Sequence, residues 1–179
     1  MVVSDGAPGL ETALDYHFYG VPHQRCIFHK IKNIADHLLY GDLEVDGEAS
    51  DDKAKRKAKT ARKKSILADA GAIYNHKTEA DIQAQAEVFR ETWQEREPKS
   101  VANFFTDFDK TLAYLRVDFP ESLGVLIRTT NRLERFHKEM RRKQRDIGMF
   151  QSEAGCEAIW YLIAMRETAK QQAALGLRV

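Results

Sequence analysis

Two carboxylates, a Cys-x-x-His string and a run of basic residues are the parts of this sequence that could do chemistry. Asp5 ends the apolar run Met1-Val2-Val3-Ser4 and is followed by Gly6. An aspartate at the carboxyl end of a buried strand faces the place where open α/β sheets bind their ligands, and its oxygens suit a divalent metal. The same aspartate could instead start a turn or cap the next helix, and position does not separate the two readings. Glu134 lies in the string Thr129-Thr130-Asn131-Arg132-Leu133-Glu134-Arg135. Helical spacing puts Asn131, Glu134, Lys138 and Arg141 on one face, with Leu133, Phe136 and Met140 beside it and directed at the core. A glutamate set among those groups could hold a metal close to a phosphate. Asn131 also stands three residues before Glu134, the spacing of a capping box, so a purely local role is open as well. Cys26-Ile27-Phe28-His29 offers two good zinc ligands, but a structural zinc site needs about four. His37 is the nearest further candidate. A packed thiol and a hydrogen-bonded imidazole are therefore preferred over a zinc site.

These residues need elements to hold them. The pattern predicts a strand ending at Ser4 and a helix with Leu10, Ala13, Leu14 and Phe18 on one side, closed by Gly20. A second strand over His23 to Phe28 and a helix from His29, striped by Ile31, Ile34 and Leu38, complete a parallel α/β unit. Gly41 to Lys64 has no apolar period: its first half reads as a loop and its second half as the start of an exposed helix. Thr78 is placed to cap a helix carrying Ile82, Ala86, Phe89 and Trp93. Pro98 breaks it. Ser100 is then placed to cap a helix carrying Val101, Phe104, Phe105, Phe108, Leu112 and Leu115. A helix over about 130 to 146 stops near Gly148. A last one starts near Ser152, packs Cys156, Ile159, Trp160, Leu162 and Ile163 on one broad side, and frays around Gln171-Gln172. Two strands cannot form a sheet that buries both faces, so a partner sheet is expected to be missing or to lie upstream.

The chain has 179 residues, a net charge of +1, 43% hydrophobic and 31% charged residues. That suits a soluble domain with its own core. No apolar run approaches the roughly 20 residues that span a bilayer, and the first residues carry no basic and apolar signal regions. Two distant cysteines, Cys26 and Cys156, suggest no disulfide framework, and a reduced, cytoplasmic setting is expected. The small net charge hides blocks. Asp42 to Asp52 holds six acidic residues and no basic one, Lys53 to Lys64 eight basic residues in twelve, and Arg128 to Arg145 eight basic and two acidic residues. Such blocks leave local phosphate contacts open, or are solvated faces. The sequence has no P-loop, no dinucleotide fingerprint and no nucleophile elbow.

Taken in order, three segments resemble the Mutator-type transposases, a family with a DDE triad. Val2-Val3-Ser4-Asp5-Gly6-Ala7-Pro8-Gly9-Leu10 is similar to the segment around the family's second catalytic aspartate. His23-Gln24-Arg25-Cys26-Ile27-Phe28-His29-Lys30-Ile31-Lys32-Asn33 is similar to the C-x-x-H segment that follows it. Phe119-Pro120, the string from Arg128 to Arg135 and Glu139-Met140-Arg141-Arg142 resemble the segment around the catalytic glutamate, with Gly148-Met149-Phe150 as its tail. The likeness is strong over 1–41 and 119–179 and weak over 42–118, and the acidic–basic block is longer than the family needs.

The resemblance implies an α/β, ribonuclease-H-like fold, partial and mostly α in this chain. Residues 1–41 would be the second half of its core, 42–118 a large all-helical insertion, and 119–179 the catalytic helix and the helix after it. It implies Asp5 and Glu134 as catalytic, metal-binding residues for two Mg²⁺ or Mn²⁺ ions, and metal-dependent phosphoryl transfer that cuts transposon ends and joins them to target. Arg132, Arg135, Lys138, Arg141 and Arg142 would contact DNA. Cys26, His29 and Asn131 are family-motif positions without an assigned role. The triad's first aspartate has no match here, so this chain reads as a C-terminal fragment, inactive alone. The alternative is a catalytically dead remnant or a domesticated DNA-binding fragment. DNA is the implied partner, with self-association of the full-length protein, no membrane, and a cytoplasmic or nucleoid-associated location.

Overall fold

The structure is a computed structural model that describes residues 1–41, 43, 52–124 and 126–174. Its elements are β1 (Val2–Ser4), α1 (Pro8–His17), β2 (His23–Arg25), α2 (Ile27–Ile34), α3 (Asp52–Ile73), α4 (Glu79–Trp93), α5 (Pro98–Phe105), α6 (Glu121–Gly124), α7 (Asn131–Ile147) and α8 (Glu153–Ala174), with 3-10 turns at Ala35–His37 and Asp109–Leu115. The class is the expected one: mostly helical, with a small parallel sheet. β1 pairs with β2 in the register Val2–His23, Val3–Gln24 and Ser4–Arg25. α1 makes the crossover that a parallel pair requires.

Several boundaries differ from the sequence reading, each for a local reason. β2 stops at Arg25 rather than Phe28, because Cys26 donates its N–H to Ser4 O at 2.7 Å and its carbonyl already accepts from Lys30 N. α2 therefore begins at Ile27, before His29. Pro98 opens α5 instead of only ending α4, since proline at the first helical position forfeits no helical hydrogen bond. Ser100 lies inside that helix, where its Oγ donates to Ile34 O at 2.9 Å. Asp107, at φ 55°, breaks the apolar run, and Leu112 and Leu115 continue on a 3-10 turn. Thr78 does cap α4, its side chain accepting from Asp81 N. The exposed basic start of α3 is as expected, whereas the loop expected over the acidic block lies largely outside the described residues.

One core runs through α2, α3, α4, α5 and the second 3-10 turn: Ile27, Ile34, Ile66, Ile73, Ile82, Phe89, Phe104 and Leu112 are all buried in it. The helices of 52–115 therefore have no apolar core of their own. They share their apolar interior with α2, and they seize β2 through Gln24. That fully buried amide donates to Thr111 O at 2.9 Å and accepts from Tyr114 N at 2.8 Å. Lys30 ties α2 to the end of α5 by donating to the carbonyls of Asn103 and Thr106, and burial pushes its ammonium down to about 8.

The three outer helices behave differently. α1 buries only Leu14 of its expected stripe, and Leu10 and Phe18 are exposed. α7 packs chiefly on α8 and buries none of its residues; Leu133, expected in the core, is 53% exposed. On α8, Ile163 is buried but Trp160 and Leu162 are more than half exposed, and the helix continues to Ala174. Periodicity identifies the apolar faces of these helices; it carries no information on whether a partner covers them. No described helix is long and apolar enough to cross a membrane.

Candidate functional site

Asp5 and Glu134 open onto the same cleft. It has a volume of about 380 Å³ and is lined by Val3, Ser4, Asp5, Leu10, His29, Thr130, Leu133, Glu134 and His137. β1 delivers Asp5, α2 delivers His29, and the first turns of α7 deliver the other polar groups. The strand end is held on both sides. Ser4 Oγ lies 2.6 Å from His23 Nε2 and accepts from Gly6 N, while Asp5 Oδ1 accepts from Ala7 N at 3.2 Å. Burial pushes the His23 imidazole below its usual range, which favours a neutral ring beside that hydroxyl.

Glu134 is not in a capping box. Thr130 occupies the cap position and no side chain caps α7, so Asn131 is already the first helical residue. The Glu134 carboxylate instead accepts from Thr130 Oγ at 2.7 Å, and its Oε1 lies 3.7 Å from His29 Nε2. It is about half exposed. A hard divalent cation is satisfied by carboxylate oxygens, so Asp5 and Glu134 make a suitable but partial donor pair. Among the described residues no cluster of three His, Cys, Asp or Glu side chains completes a metal site.

Beyond Glu134 the same face of α7 turns basic. Lys138, Arg141, Gln144, Arg145 and Gly148 line an open groove of about 530 Å³. The spacing 134, 138, 141, 145 is that of one helical stripe, and at 1.5 Å per residue it extends about 16 Å from the carboxylate.

The sequence model of the transposase Mutator family matches residues 1–45 and 52–174. This chain belongs to the Mutator family of transposases. It is 27% identical over 156 residues to the transposase of insertion sequence element IS406 from Burkholderia multivorans, a match covering 87% of this chain and 35% of that protein. It is 29% identical over 134 residues to the transposase of insertion sequence element IST2 from Acidithiobacillus ferrooxidans, covering 75% and 38%. The chain thus spans a little over a third of the length of these relatives. No solved structure gives a significant match.

Within this Mutator-family chain four of the five basic residues singled out from sequence separate into two sets, and Arg132 stands apart. Lys138 and Arg141 line the groove. Arg135 and Arg142 are engaged by carboxylates: Arg135 lies 3.7 Å from Glu167, and Arg142 lies 2.9 Å from Glu139 and 3.7 Å from Asp146. Arg132 is half-buried at the start of α7. The sequence reading missed Arg145, although its spacing of four from Arg141 could have found it. It also missed Thr130 and His137, which line the cleft one turn to either side of Glu134. Cys26 is fully buried and lies 3.3 Å from His29 Nδ1, so the two motif residues contact each other.

Gly6 is the tightest point of the site. Its φ is 76°, and a Cβ built there would fall 0.6 Å from the Arg25 guanidinium. Arg25 is itself nearly buried and paired with Glu11 at 3.3 Å. Gly6→Ala would have to expel Arg25 and accept a left-handed backbone, at a cost of about 1–3 kcal/mol. Urea unfolding of the variant should show that loss; a midpoint equal to that of the wild type would remove the constraint on the Asp5 turn.

Proposed function

We propose that this chain supplies part of the catalytic centre of a DNA transposase, with Asp5 and Glu134 as two carboxylates of a DDE triad on a ribonuclease-H-like core. Residues 1–41 and 119–179 would belong to that core, and 42–118 would be the insertion between them. The observation that carries the reading is the shared cleft: two carboxylates 129 positions apart line it, beside a stripe of basic groups.

The residues divide the work. Asp5 and Glu134 would hold Mg²⁺ or Mn²⁺, two ions in the complete enzyme. When bound, such ions supply activation of a water or 3′-hydroxyl and stabilisation of the leaving oxygen. Thr130 and Ala7 fix the two carboxylates by hydrogen bonds. Lys138, Arg141 and Arg145 would neutralise phosphates and lay the strand along α7 toward the cleft. Arg135 and Arg142 would contribute less, since each must first leave a carboxylate, and Arg132 would contact the strand near the helix start. The triad's first aspartate has no match in these 179 residues, so by itself the chain is proposed to bind DNA without cutting it. The exchange at transposon ends, cutting followed by joining to target, is proposed for the complete protein, as is its self-association.

Salt dependence tests the assignment. Binding of the 179-residue chain to duplex DNA should weaken as a power of salt concentration, by about 0.9 in the exponent for each phosphate neutralised. The triple variant K138A/R141A/R145A should flatten that slope by about two to three units, and R135A/R142A by roughly one or less. Fluorescence anisotropy between about 50 and 200 mM salt measures both slopes. Equal slopes for the triple variant and the wild type would sink the proposed track.

A further inference from the structure

The C-x-x-H string has no part in the function proposed so far, yet its cysteine touches both halves of the site. Cys26 follows β2 and stands at the start of α2. Its backbone N–H donates to Ser4 O at 2.7 Å, the residue that immediately precedes Asp5. Its thiol is fully buried and points the other way, where Thr130 N donates to Sγ at 3.3 Å and Thr130 Oγ lies 3.4 Å from it. Thr130 is the residue whose hydroxyl holds Glu134. His29 closes the knot, its Nδ1 lying 3.3 Å from both Sγ and Thr130 Oγ. The next peptide repeats the tie, with Ile27 N donating to Arg128 O at 3.0 Å.

We propose that Cys26 is a positioning residue that sets Asp5 against Glu134, by holding the strand end that carries one and, through Thr130, the helix start that carries the other. The proposal rests on Asp5 and Glu134 forming one site. Its physical basis is the exposed character of α7. That helix buries none of its residues, so apolar packing does little to fix its first turn, and the polar ties to Cys26 and Arg128 must. A buried sulfur is a weak but serviceable acceptor for the N–H at the start of a helix, which has no partner within the helix. His29 supports the arrangement by packing against Sγ and Thr130.

Amide hydrogen exchange of the 179-residue chain reads this directly. Cys26→Ala and Thr130→Val should each speed exchange over residues 131–138 by roughly fivefold to tenfold, the equivalent of losing one or two weak hydrogen bonds, with α3 and α4 protected as in the wild type. Cys26→Ser, which keeps an acceptor, should restore most of the protection. Ile34→Val, a methylene lost from the shared core, should loosen α2 and α5 without singling out α7. Thr130→Val removes the hydroxyl and keeps the Thr130 N–H on Cys26 Sγ, so it tests the Glu134 end of the tie, and Cys26→Val, close in size and without an acceptor, tests the sulfur end where Cys26→Ala does not fold. Mn²⁺ titrations followed by electron paramagnetic resonance add a second measurement: affinity should fall together with α7 protection. Unchanged exchange over 131–138 in Thr130→Val and Cys26→Ala, or equal acceleration throughout the chain, would overturn the proposal. Failure of the metal assignment is separate: it would show as wild-type Mn²⁺ binding unaffected by Asp5→Asn, and the exchange pattern would still decide the role of Cys26.

Discussion

A transposase that contains these residues with Glu134→Gln is expected to bind DNA at least as tightly as the wild type and to lose end cleavage by about a thousandfold or more, the scale seen when one member of a catalytic set is removed. Glutamine matches glutamate in size and keeps an oxygen to accept from Thr130 Oγ, which now lies 2.7 Å from Oε1. What changes is charge. An uncharged amide oxygen holds a divalent cation less strongly than a carboxylate, since affinity follows ligand charge, and the lost negative charge stood at the end of the basic stripe formed by Lys138, Arg141 and Arg145. Removing it lowers repulsion toward phosphate. The two effects have opposite signs, which makes the variant informative: binding by anisotropy and cleavage in Mg²⁺ should move apart. Cleavage retained within about tenfold of the wild type would remove Glu134 from the chemistry, since a triad carboxylate supplies far more than that.

Phe104→Ala should cost about 3–5 kcal/mol, the range for emptying a buried aromatic site. Phe104 is fully buried and lies at the centre of an aromatic cluster, with ring centroids 5.1 Å from Phe89, 5.4 Å from Phe105, 5.3 Å from Phe108 and 6.4 Å from Tyr74. Four surrounding rings cannot all collapse into the space left by one, so a cavity term adds to the lost transfer energy. The melting temperature should fall by about 6–20 °C for a chain of this size. Thermal and urea unfolding followed by circular dichroism measure it, and a loss under about 1 kcal/mol would mean the site repacks freely. The consequence reaches the cleft. Tyr74 hydroxyl lies 3.0 Å from Thr111 Oγ, and Gln24 of β2 donates to Thr111 O, so the aromatic cluster supports the 3-10 turn on which the sheet rests.

The candidate site was legible where it depended on local pattern. An apolar run ending in Asp-Gly marks a strand that turns, and Gly6 does adopt a positive φ. The polar and basic face of α7 follows from spacing alone, and its observed span, Asn131–Ile147, is within a residue of the expected one. The helices of the middle segment were legible for the same reason: their stripes repeat at the helical period, and Ile82, Ala86, Phe89 and Trp93 are all buried. Errors arose where a residue's partner is distant. Ser100 looks like a cap because its type favours caps, but its hydroxyl found Ile34 O, 66 positions away. Asn131 is a local case: it looks like half of a capping box, but the helix starts one residue earlier than that box requires and the Glu134 carboxylate takes the neighbouring Thr130 hydroxyl.

By itself, then, the sequence determined which faces are apolar, which are charged, and which short segments could carry a metal-binding carboxylate. These are properties of a few consecutive residues, set by side-chain periodicity and backbone preference. Only the tertiary structure decided that Asp5 and Glu134 share a cleft, that the middle helices share a core with α2, and that Trp160, Leu162 and Leu133 are left largely uncovered. It also decided the place of Cys26, whose thiol meets Thr130 across 104 positions. Such pairings depend on how elements close in space, and a side chain's type fixes what it can bond to but not which partner the chain brings within reach.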